Sequence, residues 1–328
     1  MDFETTELNN ALTGMVVRKN RGQYLVQMDG HTIPCSISSR LRKKLIYPTA
    51  APTSLHHRVQ RVDEIDVVDP IAVGDYVLWL DAGDGTGVIH EVLPRKTQLS
   101  RSAPGPGHLQ QVIVANVDQA VIVFAAAKPE PKWNLLDRYL VTAEMAGVQA
   151  LVCMTKLDLA DEDELERDLS IYRQIGYRIV LTSSANGRGV DEVRQALQGK
   201  VSILMGKSGV GKSSLLNAVQ PGLGLKINAV GKGDVGKGRH TTTHLEMFPL
   251  DGGGAVVDTP GMREFSLWDL NEDGLAGLFP EMRPHLGKCQ FQSNCLHEHE
   301  PGCAVRAALN AGKIHPRRYE SYLKLLNE

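Results

Sequence analysis

The sequence predicts a multidomain chain: an N-terminal all-β barrel over residues 1–100, a central α/β domain with a mainly parallel sheet over 101–283, and a mostly helical metal-binding segment over 284–328. Three observations carry this reading. Short β-rich runs fill the first segment with almost no helical period. From residue 111, apolar strand-like runs alternate with helical spacing. Three of the five cysteines, Cys289, Cys295 and Cys303, cluster near the C-terminus.

The barrel rests on two stretches. "GMVVRKNRGQYLVQMDGHTIPCSI" holds two strand-like runs broken at Gly22 and Gly30, and "VGDYVLWLDAGDGTGVIHEVL" repeats the pattern around turn residues Asp81 to Gly87. A short helical piece is expected around Arg40. Several short strands in so short a segment suggest a small barrel of the oligonucleotide-binding type; an SH3-like barrel is its competitor. Between Asn9 and Val62 the basic residues are Arg18, Lys19, Arg21, Arg40, Arg42, Lys43, Lys44, Arg58 and Arg61, against Asp29 alone. Such a charge run suits nucleic-acid phosphates. The whole chain carries a net charge of −2, so the basic character is local and a DNA partner is not expected.

No apolar run reaches the ~18 residues that span a bilayer. The first residues, "MDFETTELNN", are acidic and polar, unlike a secretory signal. A cytoplasmic protein with no membrane partner is expected. An odd cysteine count there argues for metal binding over a disulfide framework.

"RSAPGPGHLQ", residues 101–110, has the composition of a linker. The α/β domain then reads in order: strand "QAVIVFAAA", helix "NLLDRYLVTAEMAG" stopping at Gly147, strand "VQALVCMT", helix "EDELERDLSIYRQIG" with acids in its first turn, strand "YRIVLTSS", helix "GVDEVRQALQG", and strand "VSILMG".

The last of these strands runs into Gly206-Lys207-Ser208-Gly209-Val210-Gly211-Lys212-Ser213, followed by Ser214, which fits G-x-x-x-x-G-K-[ST] without mismatch. The glycines let successive amides turn inward around phosphates, and the following helix adds its positive end. Lys212 is expected on the β- and γ-phosphates and Ser213 on Mg²⁺. Downstream, "VVDTPG" offers Asp258 to Mg²⁺ and the Gly261 amide to the γ-phosphate. Between them, Gly231, Gly233, Gly236 and Gly238 precede three threonines. This predicts a switch segment in which a threonine hydroxyl joins the Mg²⁺ shell, Thr242 being favoured over Thr241 and Thr243.

"TKLD" (Thr155, Lys156, Asp158) also ends a strand, and suits a guanine base: Asp158 accepts from N1–H and the exocyclic amine, while the Lys156 stem lies along the ring. Thr155 stands where asparagine is usual. "LTSSANGRGV" places Ser183, Ser184 and Ala185 where a backbone amide meets the guanine O6. The base-reading motifs keep their own order but precede the phosphate loop. The set is complete and rotated, as in a circularly permuted GTPase domain; parallel sheets tolerate this when the original termini lie close. In the C-terminal segment, Cys289, Cys295, His297 and Cys303 give C-x₅-C-x-H-x₅-C, a closed structural zinc set, with His299 as a rival ligand. The final helix, "IHPRRYESYLKLLNE", has a basic first turn. Arg317, Arg318 and Lys324 are expected to add a second RNA contact.

Beyond these motifs, "VGDYV", "PRKTQLSR", "ANVDQAVIV", "LDRYLV", "TKLDL", "GKSGVGKSSLLN", "GKGRHTTTHLE", "DTPGMREF", "CLHEHEPGCAV" and "RRYESYLKLL" together resemble the ribosome small-subunit-dependent GTPase family, RsgA or YjeQ. The resemblance runs from about residue 70 to the end and is looser in the barrel. It implies an oligonucleotide-binding-type barrel, a permuted GTPase and a C-terminal zinc domain. It also implies late maturation of the small ribosomal subunit, with contacts to its rRNA and GTP hydrolysis stimulated by that subunit. The family's C-x-H spacing favours His297; its first cysteine interval is usually one residue shorter, so this loop is expected to bulge.

Met262 occupies the place where Ras-type enzymes put the water-orienting glutamine. His240 in the switch segment is the nearest substitute, and the resemblance points to the same residue. The catalytic set expected is therefore His240, Lys212 and Thr242, acting in a monomer with Mg²⁺ and one structural Zn²⁺. Two other classes stay open: a GTP-regulated RNA- or protein-binding module whose hydrolysis is only a timer, and an ATPase.

Overall fold

The computed structural model describes residues 11–20, 22–46, 71–102, 110–225, 245–258 and 272–328. Its contacts divide into two units, the first built mainly from residues 1–117 and the second mainly from 118–237 and 269–328.

In the first unit, β1 (Leu12–Asn20), β2 (Gln23–Met28), β3 (His31–Ile37), a helix α1 (Ser39–Ile46), β4 (Tyr76–Asp81) and β5 (Gly87–Val92) follow in chain order. β1 pairs antiparallel with both β2 and β4, β4 with β5, and β3 lies parallel to β5. The strands close into a barrel of order β1-β2-β3-β5-β4. The parallel β3–β5 pair and the helix after β3 fit the oligonucleotide-binding arrangement expected above. Alternation drives the closure: Val16, Tyr24, Val26, Cys35, Val77, Trp79 and Ile89 face inward and are buried. Burial pushes the Cys35 thiol up to about 11, so it behaves as a small core residue.

Two further strands, β6 (Gln98–Ser102) and β7 (Gln110–Ala115), form an antiparallel pair. The ends of the stretch read as a linker are thus strand, with Arg101 opposite Gln111 and Ser102 opposite Gln110; residues 103–109 lie outside the described residues. The fully buried Asp75 accepts both Nε and Nη2 of Arg95 at 2.7 Å, which fastens β4 to the approach of β6.

The second unit alternates as expected: β8 (Gln119–Ala125), α2 (Trp133–Met145), β9 (Gln149–Thr155), α3 (Glu162–Ile175), β10 (Arg178–Leu181), α4 (Val190–Leu197), β11 (Lys200–Met205) and α5 (Lys212–Val219). Then comes β13 (Gly254–Asp258); β12 (Glu246–Pro249), which precedes it in the chain, groups with the first unit, where it pairs antiparallel with β1. The sheet runs β10-β9-β8-β11-β13, with β10, β9, β8 and β11 mutually parallel. β8 is buried along its whole length, and Val121, Val123, Leu151, Cys153, Val180, Leu204 and Val256 share one core with α4 and α5. Cys153 is part of that core, its thiol pushed up to about 12 by burial. α3 shows why the chain turns where it does: the Asp161 carboxylate caps the Glu164 amide at 3.0 Å, and Gly176 ends the helix at φ 105°.

The chain ends with a short helix α6 (Glu272–Leu275), several 3₁₀ turns, α7 (Ala304–Asn310) and α8 (Pro316–Leu326). Contacts group residues 269–328 with the α/β unit.

Candidate nucleotide site and metal centre

Parallel strands deliver their C-terminal ends to one edge of a sheet, where open α/β folds bind ligands. β9 ends at Thr155, β10 just before Thr182 and Ser183, and β11 just before Gly206.

The loop after β11 is built by glycine. Gly206, Gly209 and Gly211 have φ 146°, 82° and 99°. A Cβ on Gly206 would lie 2.3 Å from the Val123 carbonyl oxygen, so no other residue fits there. Lys207 and Ser208 are exposed, and Val210 is buried. Lys212 Nζ donates to the carbonyls of Gly206 (2.7 Å) and Lys207 (3.0 Å), folding back over the loop it follows. Ser213 and Ser214 occupy the first turn of α5.

The base-reading motif touches this loop directly. Thr155 Oγ1 shares its proton between the Phe124 carbonyl (3.1 Å) and the Val210 carbonyl. Lys156, in the left-handed region at φ 57°, donates from Nζ to the carbonyls of Lys128 (2.6 Å) and Gly209 (2.8 Å). The two motifs thus join across 53 positions of chain. Asp158 is exposed, and its carboxylate accepts the Ser183 hydroxyl at 2.5 Å. Ser183 is fully buried and accepts the Ala185 amide at 3.3 Å, which sets the turn through Ser184 and Ala185. Asp258 is the last residue of β13. His240, Thr241, Thr242, Thr243, Gly261 and Met262 lie outside the described residues.

The sequence reading missed Lys128, whose carbonyl anchors Lys156. Its one signal was the "KP" turn after β8, which carries no mark of such a role.

In the C-terminal segment, Cys289, Cys295, His297 and Cys303 are all buried, with ligand atoms within 4.8 Å of one another. The Sγ atoms of Cys289 and Cys303 stand 3.9 Å apart, and His297 Nδ1 is 3.4 Å from each. Zn–S bonds of ~2.3 Å in a tetrahedron place sulfurs roughly 3.8 Å apart, so the donors fit zinc. Burial lowers the His297 pKa, favouring the neutral imidazole that ligates metal. It also raises the Cys295 thiol to about 12, a shift that a bound dication reverses. The rival His299 is exposed and its Nε2 faces Glu298 at 3.3 Å. The longer first interval is taken up by a 3₁₀ turn over Gln292–Asn294, with Gln292 at φ 46°.

The expected RNA contact through Arg317 and Arg318 is corrected by the structure. Arg318 is fully buried against Asp137 of α2 (2.7 Å) and Glu281 (2.6 Å). Arg317 pairs with Asp168 of α3 at 2.6 Å and stacks 4.9 Å over Trp133. Both guanidinium groups are engaged within the fold, because the carboxylates that meet them, Asp137 and Asp168 from helices and Glu281 from a turn, are distant in sequence. Lys324 lies in the last turn of α8.

Comparison with known proteins agrees with this geometry. Residues 92–268 match the RsgA GTPase family. A small ribosomal subunit biogenesis GTPase RsgA from Pseudomonas aeruginosa is 45% identical over 259 residues, covering 78% of this chain and 75% of the relative. The crystal structure of YjeQ from Thermotoga maritima superposes with a TM-score of 0.74 at 33% identity, covering 97% of this chain and 98% of that one. That of YloQ, described as a circularly permuted GTPase, gives 0.70 at 30% identity, covering 97% and 94%. The chain belongs to the RsgA GTPase family and is a GTP hydrolase with a circularly permuted catalytic domain.

Proposed function

We propose that the chain hydrolyses GTP on the small ribosomal subunit and serves as a late checkpoint in that subunit's maturation. The observation that carries this reading is the junction of Thr155 and Lys156 with the Val210 and Gly209 carbonyls, which joins two loops far apart in the chain. Amides of Gly206 through Gly211 take the phosphates, and Lys212 the developing charge on the β- and γ-phosphates. Ser213, Asp258 and Thr242 hold Mg²⁺, while the Gly261 amide meets the γ-phosphate. Asp158, oriented by Ser183, accepts from the guanine edge, and the Ser184–Ala185 turn meets O6.

Met262 has no polar atom to orient water, so intrinsic turnover is slow and His240 takes that role when the partner is bound. The partner is suggested by the relatives' name, small ribosomal subunit biogenesis GTPase. Arg40 and Arg42, exposed on α1, supply rRNA phosphate contacts from the barrel. Among the described residues no helix is long and apolar enough to cross a membrane. The protein acts as a monomer in the cytoplasm.

Turnover measured with and without purified small subunits tests this. Strong stimulation is expected, sharply reduced in His240→Ala with nucleotide affinity kept; equal turnover in the two conditions would remove the subunit from the reaction. An excess of ATP is expected to leave GTP binding unaffected.

A further inference from the structure

Helix α8 grips two places at once. Toward the metal cluster, Tyr319 Oη donates to the His297 carbonyl at 2.6 Å and Tyr322 Oη to the Leu296 carbonyl at 2.5 Å. The amides of the same turn are held from within it. The Glu300 carboxylate accepts from Leu296 (2.6 Å), Glu298 (2.8 Å) and His299 (3.1 Å). His297 sits in this turn at φ 60°, so the turn's shape and the ligand's position are fixed together.

Directly before Tyr319 on the same helix, two adjacent arginines reach the α/β core. Arg318 binds Asp137 on α2 and lies 4.7 Å from the Phe279 ring and 5.7 Å from that of Tyr172. Arg317 binds the Asp168 carboxylate on α3 at 2.6 Å and its backbone carbonyl at 3.1 Å. α2 is the helix that feeds β9, and α3 is the helix that leaves it. Between them lie Thr155, Lys156 and Asp158. The arginine pair therefore cross-links the two helices on either side of the base-reading loop, and the tyrosines tie the same helix to the metal turn.

A buried guanidinium with two carboxylate partners does not slide gradually, because each partial separation leaves a desolvated charge unpaired. A motion of the metal turn would therefore reach α2 and α3 as a discrete change. We propose that Arg317 and Arg318 are positioning residues for the base-reading loop, and that through α8 they make guanine-nucleotide retention depend on zinc occupancy. This rests on the assignment of Asp158 to the base.

The test measures release of fluorescently labelled GDP from the full chain, zinc-loaded and after chelation. Arg317 is chosen because it is only partly buried, so its variants fold. Arg317→Met is expected to speed release about fivefold, at the low end of couplings between sites. Arg317→Lys keeps the charge pair and is expected to restore most of the slow rate, which loss of bulk packing alone does not predict. Zinc removal is expected to speed release similarly, with no further gain in Arg317→Met. Unchanged release in both the variant and the zinc-free protein overturns the coupling, and so do effects that multiply independently. Asp158→Asn, run in parallel, is expected to lose preference for GDP over xanthosine diphosphate. If it does while Arg317→Met releases normally, the coupling fails and the base assignment stands; if it keeps the preference, the base assignment itself fails.

Discussion

The phosphate loop and the metal turn are both tight turns of irregular backbone, but they are held in opposite ways. The phosphate loop gets its shape from Gly206, Gly209 and Gly211 and is braced from outside by Thr155 and Lys156. The metal turn places non-glycine residues, Gln292 and His297, in the left-handed region alongside Gly302. It compensates with amide hydrogen bonds accepted by Glu300 and with hydroxyl bonds donated by Tyr319 and Tyr322, and a bound metal would add to them. A turn whose amides must face a ligand needs glycine. A turn whose side chains must face a ligand needs its backbone tied down.

The contrast can be broken most severely at the metal. Cys303→Ser, or chelation, is expected to melt the C-terminal segment, since structural zinc contributes on the order of 10 kcal/mol to such folds; limited proteolysis and circular dichroism read this out. Loss of zinc with no melting would mean that α8 and its buried ion pairs suffice. On the other side, Gly206→Ala drives a Cβ into the Val123 carbonyl. It is expected to cost roughly 2–4 kcal/mol in a denaturant titration and to abolish nucleotide binding.

Smaller changes sharpen the comparison. Glu300→Gln keeps the shape but weakens the three amide bonds, and zinc affinity by chelator competition is expected to fall about 10–100-fold. Thr155→Val leaves the Val210 and Phe124 carbonyls without their hydroxyl donor. It is expected to cost about 1–2 kcal/mol of stability and to weaken GDP binding, while zinc content stays at one per chain. A matching loss in Glu300→Gln nucleotide affinity would show that the two turns communicate.

The two turns also differed in how much of them could be read from the sequence. Glycine is required by backbone geometry, so the phosphate loop announced itself, and the cysteine spacing announced the metal ligands. The alternating apolar runs gave the strand and helix order from β8 to β11 because burial imposes those periods, whereas β6, β7 and β12 were not read as strands. Nothing local marked Lys128, Glu300 or the tyrosine hydroxyls, since each acts on a backbone group that any residue presents. Arg317 and Arg318 misled for a related reason. A basic first turn looks solvated until Asp137, Glu281 and Asp168 arrive from elsewhere, and only the folded chain shows that meeting.

The bond from Lys156 to the Gly209 carbonyl has a consequence for synthesis. In chain order the loop proposed to hold the base is made first, and its partner carbonyl follows 53 positions later. A nascent chain can therefore make the bonds from Thr155 to the Phe124 carbonyl and from Lys156 to the Lys128 carbonyl before the phosphate loop exists. On the proposed assignment, guanine nucleotide has no complete site until β11 and the start of α5 have been made, so the early strands must hold together on their own backbone pairing and apolar contacts.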